Sequence, residues 1–306
     1  MTFQLQGLVA ATHTPFDEQG GLDLTALESQ AEHLNRAGVK SVFIGGSTGE
    51  CHSLTVVERL ELAKRWSEVI RGSELQLIVH VGANCIHDAR ELAKQAQVLG
   101  AKAIAALSPS YFKPKSIDTL IDCCRCIASC ATEIPFYFYD IPVLTGVQFS
   151  MPEFLERASD KVPSLNGIKF TNPDLMAYQK CLHASSGSFD IPWGVDEYLL
   201  AALSLGAKGA VGSSYNFAAP IYNRLITAFS VGDLLRAREE QYRSVQLIEL
   251  LAGYGYMAAA KAVMGFLGVN VGPPRLPNAS ITEQQKARLR ESLDRLGFFK
   301  WICLTH

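Results

Sequence analysis

The feature that most constrains the fold of this chain is a regular alternation of short apolar runs with longer amphipathic segments. Eight runs of strand length recur, and each is followed by a pattern typical of a helix. The runs are short and apolar on both faces, as expected for parallel strands covered by helices. The predicted strands span residues 8–14, 39–45, 75–81, 101–107, 136–141, 166–170, 191–194 and 209–213.

Eight alternating β and α units joined by right-handed crossovers most simply close into a barrel. The sequence therefore predicts an α/β protein with a (β/α)₈ TIM barrel. The competing architecture is a doubly wound open sheet, which usually carries a glycine-rich phosphate loop after its first strand. Residues 11–16 (ATHTPF) follow the first run without such a loop, so the barrel is favoured.

The strand signals stop near residue 232, and the remainder of the chain has the pattern of three helices over 233–253, 256–267 and 282–296. We therefore predict a catalytic barrel domain over residues 1–232. Residues 233–306 are predicted to form a C-terminal three-helix extension packed on the barrel. No flexible linker or low-complexity segment separates the two parts.

Composition excludes several functional classes. The 306 residues are 48% hydrophobic and 19% charged, with a net charge of −2. Such a chain has no basic excess to favour nucleic acid or anionic membranes. The first eight residues do not resemble a signal peptide, and no apolar run approaches the ~18 residues of a membrane span. We expect a soluble cytoplasmic protein whose partner is a small-molecule substrate.

Cysteine and histidine spacing argues against a metal site. Four of the eight cysteines cluster at positions 123, 124, 126 and 130, within a helical pattern that lacks paired Cys-x-x-Cys turns. We interpret them as free thiols in a reducing compartment. The histidines, His306 included, show no spacing suited to a metal site or a Ser–His–Asp arrangement. The sequence therefore predicts neither a metal nor a cofactor.

Reactive groups of a barrel enzyme lie where the strands end, and the sixth predicted strand carries the most unusual residue. Lys169 stands inside the short apolar run GIKF, although lysine is almost never buried without a partner. One explanation is a structural ion pair. The other is a nucleophilic amine whose pKa is lowered by desolvation, which makes it competent for imine formation. We favour the second.

Other strand ends carry polar groups with two possible readings. Residues 45–50 (GGSTGE) follow the second strand, where Ser47, Thr48 and consecutive N–H groups suit a carboxylate, although an ordinary glycine-rich turn explains them equally well. Tyr139 in the fifth strand has the position of a packing residue on strand propensity alone. Asp196 follows the seventh strand and is compatible with helix capping or with a ligand.

These motifs together resemble the dihydrodipicolinate synthase/N-acetylneuraminate lyase superfamily. Residues 45–50 are similar to its G-x-[ST]-T-G-E loop, 139–142 (YDIP) to its Y-[NH]-[IV]-P motif, and 167–169 (GIK) to its Schiff-base strand. The resemblance runs from residue 7 to about 299. Within the superfamily the chain is most similar to sialic acid lyases, especially the animal type. The strings that carry this likeness are LQGLVAAT at 5–12, VHVG at 79–82, IPVLTGV at 141–147, GVDEYLL at 194–200, GAVGSSYN at 209–216 and GPPRLP at 272–277.

The resemblance implies a class I aldolase that splits N-acetylneuraminate into pyruvate and N-acetylmannosamine. It implies that Lys169 forms the imine, that Tyr139 relays the proton of the C4 hydroxyl, and that Ser47 and Thr48 orient the carboxylate. Tyr111 is similar to a tyrosine that reaches the active site of a neighbouring subunit, which implies a homotetramer. The residues implied to hold the polyhydroxyl tail are Thr171, Gly194, Asp196, Glu197 and Ser213.

Three positions bear on the choice of substrate. Dihydrodipicolinate synthases carry an arginine two residues after the motif proline, and this chain has Leu144 there, which argues against a dicarboxylate product. Asp140 and His13 depart from the lyase pattern. Asp140 would raise the pKa of Tyr139 if its carboxylate pointed inward, and would matter little if it faced a helix.

Two alternatives stay open at this point. One is another pyruvate-dependent aldolase of the superfamily, such as a dihydrodipicolinate synthase or a 2-keto-3-deoxy sugar acid aldolase. The other is a catalytically silent ligand-binding protein on the same barrel, which the joint presence of Lys169, Tyr139 and Thr48 disfavours.

Overall fold

Seven parallel strands form a curled sheet at the centre of the protein. The computed structural model describes residues 3–303, and the sheet has the order β6-β5-β4-β3-β2-β1-β7. The seven strands are β1 (Gly7–Ala11), β2 (Ser41–Ile44), β3 (Gln76–His80), β4 (Ala103–Leu107), β5 (Phe136–Asp140), β6 (Leu165–Phe170) and β7 (Gly209–Gly212).

The predicted seventh strand, residues 191–194, is not a regular strand. It joins β6 and β7 through single bridges, in which Trp193 is paired with Phe170 on one side and with Ala210 on the other. Pro192 accepts a bond from the Phe170 N–H but has no N–H of its own to return one, so the ladder stays short. The prediction of eight strands is wrong in this detail, although the segment closes the ring between β6 and β7.

Helices surround the sheet and alternate with its strands. Their bounds are α1 (Leu27–Arg36), α2 (Val56–Val69), α3 (Ile86–Val98), α4 (Ile117–Ala128), α5 (Pro142–Thr145), α6 (Met151–Ala158), α7 (Leu175–His183), α8 (Leu199–Leu205), α9 (Tyr215–Ser230), α10 (Leu234–Ala252), α11 (Tyr256–Phe266), α12 (Glu283–Leu296) and α13 (Phe298–Trp301). The three long helices expected after residue 232 are α10, α11 and α12. They pack on α9 and on one another, while the domain boundary at residue 232 stays a prediction.

Side chains that alternate along each strand fill two separate layers. Residues facing the helices join one large core, which includes Ile104, Phe138 and Phe170. Residues facing the barrel axis form a second, smaller cluster. That inner cluster comprises Leu5, Val9, Ala11, Phe43, Ile78, Ala103, Ala105, Leu107, Tyr137, Tyr139, Ile141 and Val211. The interior is therefore packed with side chains, and a ligand can reach only its end.

Local signals in the sequence set where helices begin and end. Thr55 accepts a hydrogen bond from the Glu58 N–H while the Glu58 carboxylate accepts one from Thr55, which makes a capping box at the start of α2. Gly206 ends α8 with a φ of 108°, in the left-handed region that favours glycine. None of the helices described between residues 3 and 303 is both long enough and apolar enough to span a membrane.

Candidate active site

Lys169 and Tyr139 lie side by side at the carboxyl ends of β6 and β5. The two residues are register partners in the parallel ladder, so their side chains point to the same side of the sheet, toward the barrel axis. The Lys169 Nζ lies 3.6 Å from the centre of the Tyr139 ring and 5.1 Å from that of Phe43. It donates a hydrogen bond of 3.1 Å to the Thr171 Oγ1. The amine that the sequence singled out therefore lies in the mouth of the barrel.

Burial lowers the pKa of the Lys169 amine toward neutral pH. The side chain is 4% exposed, and desolvation lowers its pKa to about 7, against a smaller opposing effect of the Asp196 charge. No carboxylate forms an ion pair with this amine among residues 3–303. The structural ion pair left open by the sequence is thus absent from the described part of the chain. About half of the amine is unprotonated near pH 7.

The glycine-rich loop at residues 45–50 brings hydroxyl groups to the same place. The Ser47 Oγ lies 3.3 Å from the Tyr139 hydroxyl, while Thr48 is half-buried beside it. Gly46 packs so tightly on Phe43 that a Cβ would lie 2.5 Å from its ring. The small residues therefore allow the loop to approach the reactive lysine closely, and its N–H and hydroxyl groups can bind an anion.

A buried ion pair holds this loop in place from outside the barrel. Glu50 ends the loop in a left-handed conformation with a φ of 54°, which a non-glycine residue rarely adopts. Its Oε1 lies 3.0 Å from the Lys261 Nζ of α11, and both side chains are almost fully buried. Its Oε2 accepts bonds from the Arg275 N–H and the Asn278 side chain. The C-terminal helices thus contribute directly to the shape of the loop.

A second group of polar side chains lies across the barrel mouth, around Asp196. The Asp196 Oδ2 accepts hydrogen bonds from the backbone N–H of Ser214, at 2.9 Å, and from its hydroxyl. Desolvation raises the pKa of Asp196 to about 6, and the bonds from Ser214 oppose that rise. At neutral pH the carboxylate is largely ionised. It can therefore accept hydrogen bonds from the hydroxyl groups of a ligand.

Glycine is required at two points around this carboxylate. A Cβ on Gly212 would lie 1.9 Å from the Asp196 Oδ1, and one on Gly194 would lie 2.0 Å from the Thr171 Oγ1. Gly194 therefore has a packing reason to be a glycine, whether or not its backbone also binds substrate. The close approach of these backbones brings Asp196 and Thr171 to the same mouth as Lys169.

The remaining predicted tail-binding residues border the same region. Ser213 is half-buried, and its hydroxyl lies 2.7 Å from the hydroxyl of Tyr256 on α11. Glu197 follows Asp196 in a single 3₁₀ turn and is half-buried. The structure thus brings Ser213, Glu197, Thr171, Gly194 and Asp196 to one side of the barrel mouth.

Tyr111 is the one predicted site residue that is not gathered with the others. It lies in the loop after β4 with 79% of its surface exposed. Its ring packs edge-on against Phe112, with ring centres 5.0 Å apart, and its N–H donates to the Asn84 side chain. No contact with the other candidate residues is found over residues 3–303, so its role in a neighbouring subunit stays a prediction.

The two residues that depart from the lyase pattern are both buried outside the reactive cluster. Asp140 is on the helix-facing side of β5, and its Oδ2 accepts a bond of 3.3 Å from Asn172. Desolvation raises its pKa to about 6, and Asp140 is not among the main groups that shift the pKa of Tyr139. His13 is completely buried, which lowers its pKa to about 3 and keeps the ring neutral. Of the two orientations considered for Asp140, the structure therefore shows the one facing the helices.

Several residues of the site were not predicted from the sequence. Ser214 appears in the sequence only as part of the string GAVGSSYN, and Tyr256 has no local signal that connects it with the barrel mouth. His80 is buried in β3, where its Nδ1 donates to the Gly45 carbonyl at 2.7 Å and its Nε2 accepts from the Leu107 N–H. This fixes the neutral ring edge-on to Tyr139.

No group of three or more His, Cys, Asp or Glu side chains in the described residues is arranged to hold a metal ion. The groups gathered at the barrel mouth are an amine with a lowered pKa, a phenol, several hydroxyl groups and the carboxylates of Asp196 and Glu197. An amine of this kind attacks carbonyl carbons, and the protonated imine that results withdraws electrons from the neighbouring bonds.

Comparison with known proteins agrees with this arrangement. Residues 4–296 match the dihydrodipicolinate synthetase family. The chain is 38% identical to the N-acetylneuraminate lyase of Rattus norvegicus over 302 residues, which are 97% of this chain and 94% of the rat protein. The solved structure of Proteus mirabilis N-acetylneuraminate lyase is 39% identical and superposes with a TM-score of 0.94, covering 97% of this chain and 100% of that one.

A solved dihydrodipicolinate synthase of Cyanidioschyzon merolae, with lysine bound, is 29% identical and superposes with a TM-score of 0.88, covering 96% of this chain and 98% of that one. The rat and Proteus mirabilis lyases, one animal and one bacterial, are thus similar to this chain at comparable identity. The agreement over nearly the full length confirms the predicted (β/α)₈ barrel with its C-terminal helices. Because the family match extends from residue 4 to residue 296, the chain belongs to the dihydrodipicolinate synthetase family.

Proposed function

We propose that this protein is a Schiff-base lyase that cleaves N-acetylneuraminate into pyruvate and N-acetylmannosamine. The observation that carries the proposal is the buried Lys169 amine, whose pKa of about 7 leaves it reactive at the mouth of the barrel. The rat and Proteus mirabilis lyases named for this substrate are 38% and 39% identical to the chain, the dihydrodipicolinate synthase described above is 29% identical, and a Mycoplasma synoviae N-acetylneuraminate lyase is 27% identical. The highest of these identities belong to lyases, which supports the lyase reaction.

In the proposed reaction, Lys169 attacks the C2 ketone of the open-chain sugar acid, and water leaves as the imine forms. The protonated imine then accepts the electron pair of the C3–C4 bond as that bond breaks. The C4 hydroxyl loses its proton and becomes the aldehyde of N-acetylmannosamine. The carbon left on the imine is protonated, and hydrolysis releases pyruvate and restores the amine.

Tyr139 is proposed to relay the proton of the C4 hydroxyl. Burial raises the pKa of its phenol, so the group remains protonated at neutral pH. Such a phenol passes its own proton on as it accepts another, and the Ser47 hydroxyl 3.3 Å away is a partner for that exchange. The ring also covers the Lys169 Nζ, which holds water away from the amine.

Binding of the substrate divides between the two sides of the mouth. The hydroxyl groups and N–H groups of Ser47 and Thr48 are proposed to bind the carboxylate, whereas the side of the mouth formed by Asp196 binds the hydroxylated tail. The residues proposed to act with Asp196 are Thr171, Gly194, Glu197 and Ser213. An ionised carboxylate among hydroxyl groups suits a neutral polyol better than a second carboxylate.

The alternative is another pyruvate-dependent aldolase of the same family, such as a dihydrodipicolinate synthase or a 2-keto-3-deoxy sugar acid aldolase. The match to the dihydrodipicolinate synthetase family is compatible with this alternative. Leu144, where a synthase carries arginine, is 63% exposed in α5 and offers no charge to a dicarboxylate. We therefore rank this alternative aldolase reaction below the cleavage of N-acetylneuraminate.

The decisive experiment combines trapping with a substrate comparison. The protein is incubated with pyruvate or N-acetylneuraminate, reduced with borohydride and mapped by peptide mass. We expect an adduct on Lys169 alone, together with pyruvate release from N-acetylneuraminate and no condensation of pyruvate with aspartate semialdehyde. An adduct on another lysine would overturn the mechanism, whereas condensation without cleavage would identify the synthase.

We further propose a homotetramer in the cytoplasm. The exposed side chains of Tyr111, Phe112, Val143 and Leu144 provide apolar surface for a neighbouring subunit, and the eight cysteines have free thiols. Sedimentation analysis of the purified protein tests the assembly, for which we expect a mass four times that of the 33.4 kDa chain. A monomer that cleaves the substrate at the full rate would exclude a catalytic role for Tyr111 in a neighbouring site.

A further inference from the structure

A row of buried hydroxyl groups connects Asp196 with the C-terminal helices. The Ser214 hydroxyl donates to the Asp196 Oδ2. It also lies 2.6 Å from the hydroxyl of Tyr222 on α9, which in turn lies 2.7 Å from the hydroxyl of Ser244 on α10. Ser214, Tyr222 and Ser244 have no exposed surface. Solvent therefore does not compete for these hydrogen bonds.

The direction of this row follows from counting protons. Each hydroxyl has a single proton, and Ser214 gives its proton to the carboxylate, which when ionised can only accept. Ser214 must therefore accept from Tyr222, and Tyr222, having donated its only proton, must accept from Ser244. Hydrogen bonds aligned in this way strengthen one another, so the effect of Ser244 extends to Asp196.

We infer that Tyr222 and Ser244 are positioning residues for the sugar end of the site, because their hydroxyl row holds the Asp196 carboxylate in one orientation toward the substrate. The inference rests on the proposed function and names the groups that prepare one of its binding residues. It gives helix α10 of the C-terminal extension a part in substrate affinity, although Ser244 itself does not touch the substrate.

The other oxygen of the carboxylate is the one left for a ligand. The hydrogen bonds of measured geometry to the Asp196 side chain over residues 3–303 both end on Oδ2, whereas Oδ1 lies against Gly212 and the buried Tyr215 hydroxyl faces the same carboxylate. Oδ2 is saturated by the two bonds from Ser214. Rotation of the carboxylate would break both bonds, so the hydroxyl row decides which oxygen is presented to the barrel mouth.

Several other groups influence the charge of Asp196. Lys169 on β6 stabilises the ionised form, while the neighbouring Glu197 opposes it. The phenols that face the carboxylate from the elements packed around it are Tyr139 on β5, Tyr215 and Tyr222 on α9, and Tyr256 on α11. These phenols stay protonated near pH 7, since burial raises the pKa of each. Weakening the bond from Ser214 therefore raises the pKa of Asp196 above about 6 and removes an acceptor at neutral pH.

The test compares Tyr222→Phe and Ser244→Ala with Tyr178→Phe. Tyr178 is a matched control, because it is equally buried and its hydroxyl donates at 2.9 Å to the Ile191 carbonyl, outside the row. We expect Tyr222→Phe to raise the KM for N-acetylneuraminate about fivefold, the size expected for one hydrogen bond, and Ser244→Ala to raise it less. In both variants the acid limb of kcat/KM should move to higher pH. The pyruvate concentration that gives half-maximal borohydride trapping should stay unchanged.

The inference is overturned if Tyr222→Phe and Tyr178→Phe behave alike, or if the KM for N-acetylneuraminate and the trapping concentration of pyruvate rise together. Should Tyr222→Phe fail to fold, the Ser244 variants test the inference. Ser244→Ala must raise the KM for N-acetylneuraminate, and Ser244→Thr, which keeps the hydroxyl, must bind the substrate as wild type does. Failure of the proposed function can be distinguished from failure of this inference, because wild-type protein would then release no pyruvate from N-acetylneuraminate.

Discussion

Replacing the reactive lysine by methionine should make the protein more stable while abolishing its activity. Lys169→Met keeps a flexible side chain of similar length against the Tyr139 ring and removes an amine that is costly to protonate in a buried site. The substitution loses one hydrogen bond to Thr171. That loss is worth about 1 kcal/mol, so the balance depends on the cost of the buried charge.

The pKa of Lys169 sets the size of this cost. It falls from an ordinary value of 10.5 to about 7 in the folded protein, so the unfolded chain holds a proton that the native state has released. The contribution of Lys169 to wild-type stability therefore rises with pH between about 7 and 10.5, and the penalty is greatest below pH 7. At about 1.4 kcal/mol per pH unit, the penalty is on the order of 5 kcal/mol at pH 6 and about 2 kcal/mol at pH 9.

Urea unfolding followed by circular dichroism at pH 6 and pH 9 measures the effect at one protein concentration. We expect Lys169→Met to be the more stable protein at pH 6, with an advantage that shrinks by about 3 kcal/mol at pH 9. Titrating groups that do not interact with Lys169 cancel in this double difference, whereas Asp196, whose ionised form Lys169 stabilises, reduces the advantage of the variant near pH 6. Lys94→Met, at an exposed position on α3, should show no such dependence. A Lys169→Met protein that is less stable than wild type at pH 6, or whose advantage is independent of pH, would refute the reasoning.

Three further predictions follow from the same site. The rate of borohydride trapping with pyruvate should rise about tenfold per pH unit below a midpoint near the Lys169 pKa of about 7 and level off above it; a rise that continues to pH 10 would show an ordinary amine. Tyr139→Phe, which loses only the hydroxyl near Ser47, should retain trapping while kcat falls about 10²–10⁴-fold, as stopped assays of pyruvate release would show. Lys261→Met leaves the Glu50 carboxylate buried without its partner and should cost about 3–5 kcal/mol in urea unfolding, most of which Glu50→Gln in the same chain should recover.

Most of the barrel could be predicted because its strands are short, apolar and covered on both faces. Seven of the eight predicted runs overlap an observed strand, with the differences at the ends. The remaining run, residues 191–194, fails because hydrophobicity does not register that Pro192 lacks an N–H, which leaves this segment as a bridge between β6 and β7 rather than a strand.

The sequence indicates a residue of the site where its type is unusual for a buried position, and gives no signal where the residue is ordinary for its element. Lys169 stands out in an apolar strand, so its burial and its lowered pKa could be predicted from the sequence, while its catalytic role stays a prediction. Tyr222 and Ser244 are ordinary residues of helices, and only the packing of α9 on α10 shows that their hydroxyls join Asp196. The role predicted for Tyr111 cannot be tested in a single chain, because it requires the active site of a second copy.

The position of the C-terminal helices explains why the barrel cannot be considered apart from them. Lys261 on α11 neutralises Glu50 and so holds the loop proposed to bind the carboxylate, while Ser244 on α10 ends the hydroxyl row that orients Asp196. The two contacts lie at opposite ends of the proposed substrate, and each is buried. An extension that had evolved only to cover apolar surface would not need to place an ammonium group and a hydroxyl there. We therefore propose that residues after 232 serve as the outer scaffold of the active site, and that substrate affinity is sensitive to packing between α9, α10 and α11.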